Sequence, residues 1–195
     1  MKHMNLRQFV ITSLFVALTL VLGFTPLGII PLGFINVTIL HIPVIIGTIL
    51  LGWRTGLLLG FFFGLTSTLR AFSIPTPASA LVSTLMSASP VFVVIMSMLP
   101  RLLVPVVSHL VYRLMFAART DNAALTISAV AGTLTNTIFY LGLMLLFYHL
   151  AGLDTAAILT LITGTGIIAG GTEAIAAAVL TTPVISALKR VKTNA

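Results

Sequence analysis

The stretch TPLGIIPLGFINVTILHIPVIIGTILLGW, residues 25–53, decides how the rest of the chain is read. It opens as a Pro/Gly-broken apolar segment, TPLGIIPLG, and runs into an apolar helix carrying Asn36, Thr38 and His41 near its start. A water-soluble core has little use for an irregular apolar loop that feeds a helix opening with polar groups. A membrane protein that catches a ligand at its outer face has a use for both. The segment therefore reads as an outer loop leading into a membrane span.

Composition agrees. Hydrophobic residues make up 58% of the 195 and charged residues 7%, where a soluble domain carries about 25% charged residues. Apolar runs of about 20 residues recur, each long enough to cross ~30 Å of hydrocarbon. Backbone groups in lipid must be satisfied within the protein, and continuous apolar runs rather than period-2 alternation select helices over barrel strands. The expected fold is an all-α integral membrane bundle of six transmembrane helices in one domain. Its spans are expected over 7–24, 36–51, 56–72, 91–117, 123–150 and 168–188, with a Pro/Gly-rich outer loop between helices 1 and 2. The run 9–24 follows Lys2 and Arg7 like a signal peptide, but lacks a small-residue cleavage site and is read as the first span. Residues 73–90, rich in Pro and Ser, read as a long, partly helical connection. Pro100 reads as a kink, Asp121 or Asn122 and Asp154 as helix caps. The Gly-rich GTGIIAGG marks an interrupted lead-in to the last span.

Six spans put both termini on one side. Lys2, Arg7, Arg54, Arg113, Arg119, Lys189, Arg190 and Lys192 gather there, eight of the ten basic residues, which makes that side cytoplasmic and the membrane a cell membrane crossed several times. The net charge of +7 is thereby explained as topology, and no nucleic acid is expected. The two exceptions, Arg70 and Arg101, fall within or near the ends of spans.

Several function classes drop out. There is no cysteine for thiol chemistry or thiolate metal sites. No phosphate loop of the form GxxxxGK[ST], no HExxH, no GxSxG and no acidic metal-ligand cluster occurs. The expectation is a protein that is not an enzyme and needs no cofactor or metal. One membrane carboxylate, Glu173, is little for a proton-driven carrier. A binding protein without a visible energy source needs partners; otherwise it is a facilitator or a channel.

Ionisable and amide groups inside spans are costly and mark candidate sites. Counted from the cytoplasmic ends, Glu173 lies about 22 Å up its helix and Arg101 about 27 Å up its own, while Asn136 lies about 20 Å into span 5. Thr133 and Tyr140 share a helical face with Asn136. Arg70 ends span 3, and Asn36 and His41 begin span 2. These groups come from five spans and share the outer half of the membrane, as one polar cavity would require. Two arginines and a histidine against one glutamate favour an anionic ligand such as a carboxylate. Each group also has a plainer role open to it: His41 on a backbone carbonyl, Arg70 reaching to headgroups, Arg101 paired with Glu173. Thr66, Ser67 and Thr68 read as bonding back to their own helix.

Small residues recur every fourth position in Gly56-xxx-Gly60-xxx-Gly64 and in Gly166-xxx-Gly170-xxx-Ala174-xxx-Ala178. Such strips let helices approach closely, and internal packing is the ordinary use of them. A weaker strip on span 1, Ser13-xxx-Ala17, sits on an otherwise apolar cylinder and suits either internal packing or docking of a separate membrane subunit.

Taken in order, TP-G-IPLG-INVTILHIPVIIGTILLG, GLLLGFFFGLTS, LPRLLVP with Tyr112-Arg113, GTLTNT and TEAIAAA resemble the energy-coupling-factor (ECF) transporters, and within them the membrane-embedded substrate-binding S component of the pantothenate type. The resemblance covers nearly the whole chain. It implies a six-helix bundle that binds a vitamin near its outer face. Its partners would be a transmembrane coupling protein, the T component, and two cytoplasmic ATPase subunits that hydrolyse the ATP. Arg101 matches the LPR arginine, Asn136 the TNT asparagine and Glu173 the TEA glutamate. Arg101 would hold the carboxylate of pantothenate. Asn136, Thr133 and His41 would bond its amide and hydroxyl groups, and Glu173 would orient Arg101 or accept a ligand hydroxyl. Ser13 and Ala17 match an Ala-xxx-Ala-type docking strip, with a departure at the first position. Gly170-Gly171 stands where relatives commonly have Asn-Gly. Riboflavin or a thiamine precursor is the alternative vitamin, and a stand-alone facilitator or channel the alternative class.

Overall fold

A computed structural model of the chain describes residues 6–25, 28–32, 35–73, 79–116 and 121–193. Among the described residues five helices are long and apolar enough to cross a membrane: α1 (Leu6–Phe24), α3 (Trp53–Ser73), α5 (Pro90–Phe116), α6 (Asp121–Leu150) and Ile167–Arg190 within α8 (Ile167–Thr193). A sixth apolar helix, α2 (His41–Leu51), has 11 residues, which gives it about 16 Å of length, half a bilayer core.

The second expected span needs correction at its start. Residues 36–40 do not extend α2. Asn36 lies in a strand, β2 (Ile35–Thr38), paired antiparallel with β1 (Ile29–Leu32), so that Ile29 faces Thr38 and Pro31 faces Asn36. The Pro/Gly-rich stretch read as a broken loop thus holds a β-hairpin, extended by a bond from the Ile39 N–H to the Gly28 carbonyl at 3.0 Å. The physical reason lies in the residues. Ile29, Ile30, Ile35, Val37 and Thr38 are β-branched and favour extended backbone, and a hairpin pairs polar backbone groups that lipid would leave stranded.

α2 is the axis of the bundle. Every residue from His41 to Thr48 is buried, as an all-round apolar helix requires. Pro43 sits in the first turn, where its missing N–H costs nothing. The helix stops at Gly52, whose φ of +96° is a conformation that favours glycine, and α3 starts at once.

α3 returns along α2 and packs against α1, α2 and α5. The strip Gly56, Gly60, Gly64 makes the last of these contacts possible. A Cβ on Gly60 would lie 2.6 Å from the Arg101 carbonyl oxygen, one on Gly64 2.7 Å from Met98 Sδ, and one on Gly56 2.8 Å from Pro105 Cβ. The expected internal use of the strip is therefore observed. The connection 73–90 contains a short helix, α4 (Ser79–Ala88), as its composition suggested. α5 opens on Pro90, a favourable first helical residue, and is one helix through Pro100 and Pro105. α6 packs on α5 and on α8. The interrupted lead-in resolves into α7 (Ala156–Leu161), whose first N–H, that of Ala156, donates to Asp154 Oδ1 at 2.9 Å although the capping position itself is Thr155, and a π-helical turn (Ile162–Gly166) leading into α8. The second small-residue strip also packs internally, Gly166 against Leu141 and Gly170 against Thr137.

The buried apolar side chains form two clusters. One surrounds α2, with Leu40, Ile45, Leu59, Phe63, Val104 and Leu125. The other joins α4 to α7 through Leu85, Met96, Met144, Phe147 and Ile158. Tyr148 ties α6 to α4 by donating to the Leu81 carbonyl at 2.6 Å. The polar residues singled out above lie between and beside these clusters, at the hairpin end.

Candidate functional site

Arg101 is placed by α5 and tied by that helix's own direction. Side chains on a helix lean toward its N-terminus, which for α5 is the hairpin end. The guanidinium accordingly reaches back along its own helix, with Nη1 donating to the Met96 carbonyl at 3.3 Å. Two rings flank it: Cζ lies 4.6 Å from the Tyr140 ring centroid and 5.4 Å from that of Phe63. Nε is buried without a hydrogen-bond partner. Among the described residues Arg101 forms no ion pair; the pairing with Glu173 that its position allowed is not made.

Glu173 is within reach of Arg101's charge but is committed elsewhere. Its Oε1 accepts the Thr38 backbone N–H at 2.6 Å, and its Oε2 the Thr137 hydroxyl at 3.3 Å. The carboxylate thus joins the hairpin, α6 and α8 at one point. Thr38 N–H points away from β1 and is an edge-strand donor, the kind of group that cannot be left bare inside a membrane. The tight approach of Gly170 to Thr137, where a Cβ would stand 3.0 Å from Thr137 Cγ2, sets α8 close enough for these bonds.

His41, the first residue of α2, is fully buried against the backbones of Thr38 and Glu173. Neither ring nitrogen makes a well-formed hydrogen bond. Asn136, one turn of α6 before Tyr140, is also buried, and its Oδ1 has no partner. Buried polar atoms are almost always bonded, and four atoms without a well-formed bond, counting Arg101 Nε with these three, belong to residues of this region.

The remaining expected residues are placed differently. Thr133 is buried, and its hydroxyl donates to the Ala129 carbonyl of its own helix at 2.9 Å. Thr66 and Thr68 bond back to α3 as expected. Asn36 sits on β2; its side chain lies outside what is described. Arg70 Nη1 donates to the Gly23 and Thr25 carbonyls at 3.0 and 3.5 Å, capping the end of α1; a cation at a helix C-terminus is a favourable use of the charge. Ser13 and Ala17 are exposed on α1. Two participants escaped the reading of the sequence. Thr137 is one; its spacing of four from Thr133 would have placed it on the same face. Phe63 is the other, and nothing in FFF (61–63) marks which ring turns inward.

A family profile described as "ECF transporter, substrate-specific component" matches residues 7–185. The chain is also 33% identical over 159 residues to the pantothenic acid transporter PanT of Lactococcus lactis subsp. cremoris (strain MG1363), covering 78% of this chain and 77% of that protein. The profile runs from the start of α1 to the last third of α8 and takes in the hairpin, Arg101, Asn136 and Glu173. This chain belongs to the substrate-specific components of the ECF transporters.

Proposed function

We propose that this protein binds pantothenate at the hairpin end of a six-span bundle and delivers it as the S component of an ATP-driven ECF transporter. The observation that carries the reading is Arg101: a guanidinium close to two aromatic rings, with a buried unbonded Nε and, among the described residues, no ion pair, the nearby Glu173 carboxylate being bonded to Thr38 and Thr137 instead. An unpaired cation within a span is costly, and a ligand carboxylate offsets that cost. Asn136 supplies an unbonded amide oxygen, and His41 an imidazole without a well-formed bond, for the amide and hydroxyl groups that pantothenate also carries. The likeness to a pantothenic acid transporter points to the same ligand. In this reading Arg101, Asn136, His41 and Tyr140 form the binding site, and Glu173 and Thr133 shape it.

The hairpin end is the outer face, and both termini are cytoplasmic. Arg7, Arg54, Arg113 and Lys189 lie at helix ends remote from the hairpin, where positive charge marks the cytoplasmic side. The energy comes from ATP hydrolysed by two partner ATPases, linked through a transmembrane coupling protein. α1 is the least enclosed of the five long helices, and its exposed Ser13 and Ala17 offer the flat strip on which that coupling protein docks.

The test is uptake of labelled pantothenate into liposomes holding this protein with or without the coupling protein and ATPases, and with or without internal ATP. Uptake only in the complete, ATP-loaded set supports the reading. Uptake by this chain alone would make it a facilitator, and no uptake in any condition would overturn the ligand.

A further inference from the structure

We infer that Phe63 of α3 is a positioning residue for the binding site: with Gly60 it fixes the Arg101 guanidinium in the orientation that reads a ligand carboxylate, without touching the ligand itself. The inference rests on the proposed role of Arg101 and extends it to a helix that contributes none of the proposed ligand contacts.

Two independent contacts from α3 converge on Arg101. The first is at the backbone. Gly60 meets the Arg101 carbonyl so closely that any Cβ would force the helices apart, so the height and depth of residue 101 are set by a glycine seven residues into α3. The second is at the side chain, one turn further on. Phe63, 1% exposed in the cluster around α2, presents its ring 5.4 Å from Arg101 Cζ. Tyr140 of α6 supplies another ring at 4.6 Å. A planar guanidinium is attracted to aromatic faces through the ring quadrupole, more strongly where water is excluded. Its long side chain would otherwise sample many rotamers. The Met96 carbonyl holds one donor and the two rings lie close to the guanidinium; on this inference they restrict its plane and so aim the remaining N–H groups as a fork. Such a fork matches a carboxylate with two parallel hydrogen bonds, and the match depends on orientation.

The prediction concerns discrimination rather than binding in general. Pantothenate and its neutral alcohol analogue, in which CH2OH replaces the carboxylate, differ only at the group that Arg101 reads. A residue that merely fills space would weaken both on removal. A residue that orients Arg101 would weaken pantothenate alone. The experiment measures both dissociation constants by calorimetry on the full chain in detergent, for the wild type, Phe63→Leu, and a chain carrying trifluorophenylalanine at position 63. Fluorination withdraws charge from the ring face while nearly keeping its shape, so it tests the ring's electrostatics where Phe63→Leu also disturbs packing.

Both variants are expected to lose about three- to tenfold in pantothenate affinity, with the alcohol analogue within about twofold of wild type. In an Arg101→Gln background, Phe63→Leu should then leave the ratio of the two affinities unchanged, as coupled residues require. Equal losses for both ligands would make Phe63 a packing residue and overturn the inference. So would an unchanged ratio with the fluorinated ring. A wild-type protein that binds both ligands equally would instead overturn the role of Arg101, and one that binds neither would overturn the pantothenate reading beneath it.

Discussion

Two polar clusters in this bundle use similar groups and finish them differently. Away from the hairpin, Lys189 of α8 donates to Asp121 Oδ1 and Oδ2 at 2.8 and 2.7 Å and to the Tyr112 hydroxyl at 2.7 Å. That hydroxyl donates in turn to Asp121 at 2.9 Å. Cation, anion and phenol from three helices close on one another. Toward the hairpin, Arg101, Glu173 and Tyr140 offer the same three kinds of group, yet the guanidinium and carboxylate are kept apart. The carboxylate is spent on Thr38 and Thr137, and the guanidinium is left with the Met96 carbonyl and two rings. A cluster that only joins helices satisfies itself. In the proposed reading, the second cluster withholds partners from the groups that would meet the ligand, and the fold must hold those groups in place by other means.

Arg101 offers the most severe way to break the comparison. If its charge is held ready for a ligand, Arg101→Ala should lower pantothenate affinity about 100-fold or more, because a buried charge pair in the complex loses one member. Arg101→Lys should fare little better, since an ammonium neither stacks between rings nor forms a two-pronged bond. Calorimetry on the purified chain decides it. Affinity within threefold of wild type for either variant would show that the unpaired cation serves something other than the ligand.

Glu173 sharpens the comparison by testing what holds the open cluster together. Glu173→Ala removes the acceptor of the Thr38 N–H, and an unsatisfied donor in a membrane-embedded site costs about 1–3 kcal/mol. Because the hairpin is what loosens, the loss should fall on the dissociation rate of pantothenate, about tenfold faster, with Glu173→Gln intermediate because its amide oxygen still accepts. Stopped-flow release would show it. A slower association with unchanged release would place Glu173 on the ligand instead.

The helix packing behind the open cluster can be probed with glycines of unlike surroundings. Gly60→Ala drives a methyl group into the Arg101 carbonyl and should cost about 1–3 kcal/mol of stability, with a fall in affinity beside it. Gly142→Ala, with nothing within 4 Å of the new carbon, should be neutral or stabilising by up to about 1 kcal/mol. Thermal unfolding in detergent separates them, and similar midpoints for the two would contradict the close α3–α5 approach.

These contrasts also explain what could be read from the sequence. The membrane helices were legible because lipid forces long apolar runs, and the strips because only small residues permit close approach. Arg101, Asn136 and Glu173 stood out because a polar group within a span is rarely idle. What stayed hidden depends on long-range partners. Phe63 looks like Phe61 and Phe62 until α5 is packed against it. Lys189 and Asp121 read as a topology marker and a cap, and 68 residues separate them. The hairpin was obscured by its own prolines and glycines, although two short β-branched runs separated by two residues, the first a glycine, are a hairpin signal. Local preference named the pieces; which carboxylate met which cation was decided by packing.

The smallest effect belongs to the closed cluster and is the control for all the others. The Lys189 and Asp121 side chains are 33% and 39% exposed, so water and salt screen their attraction, and pairs of this kind contribute about 0–1 kcal/mol. Lys189→Met should therefore lower the unfolding midpoint slightly, and less in high salt, where the pair is already weakened. Pantothenate affinity should not move, because the cluster has no spare group to lend the ligand. An affinity loss comparable with that of Glu173→Ala would mean that the far ends of α5, α6 and α8 control the site. The two clusters would then be one mechanical unit, and the difference in how they are finished would need another cause.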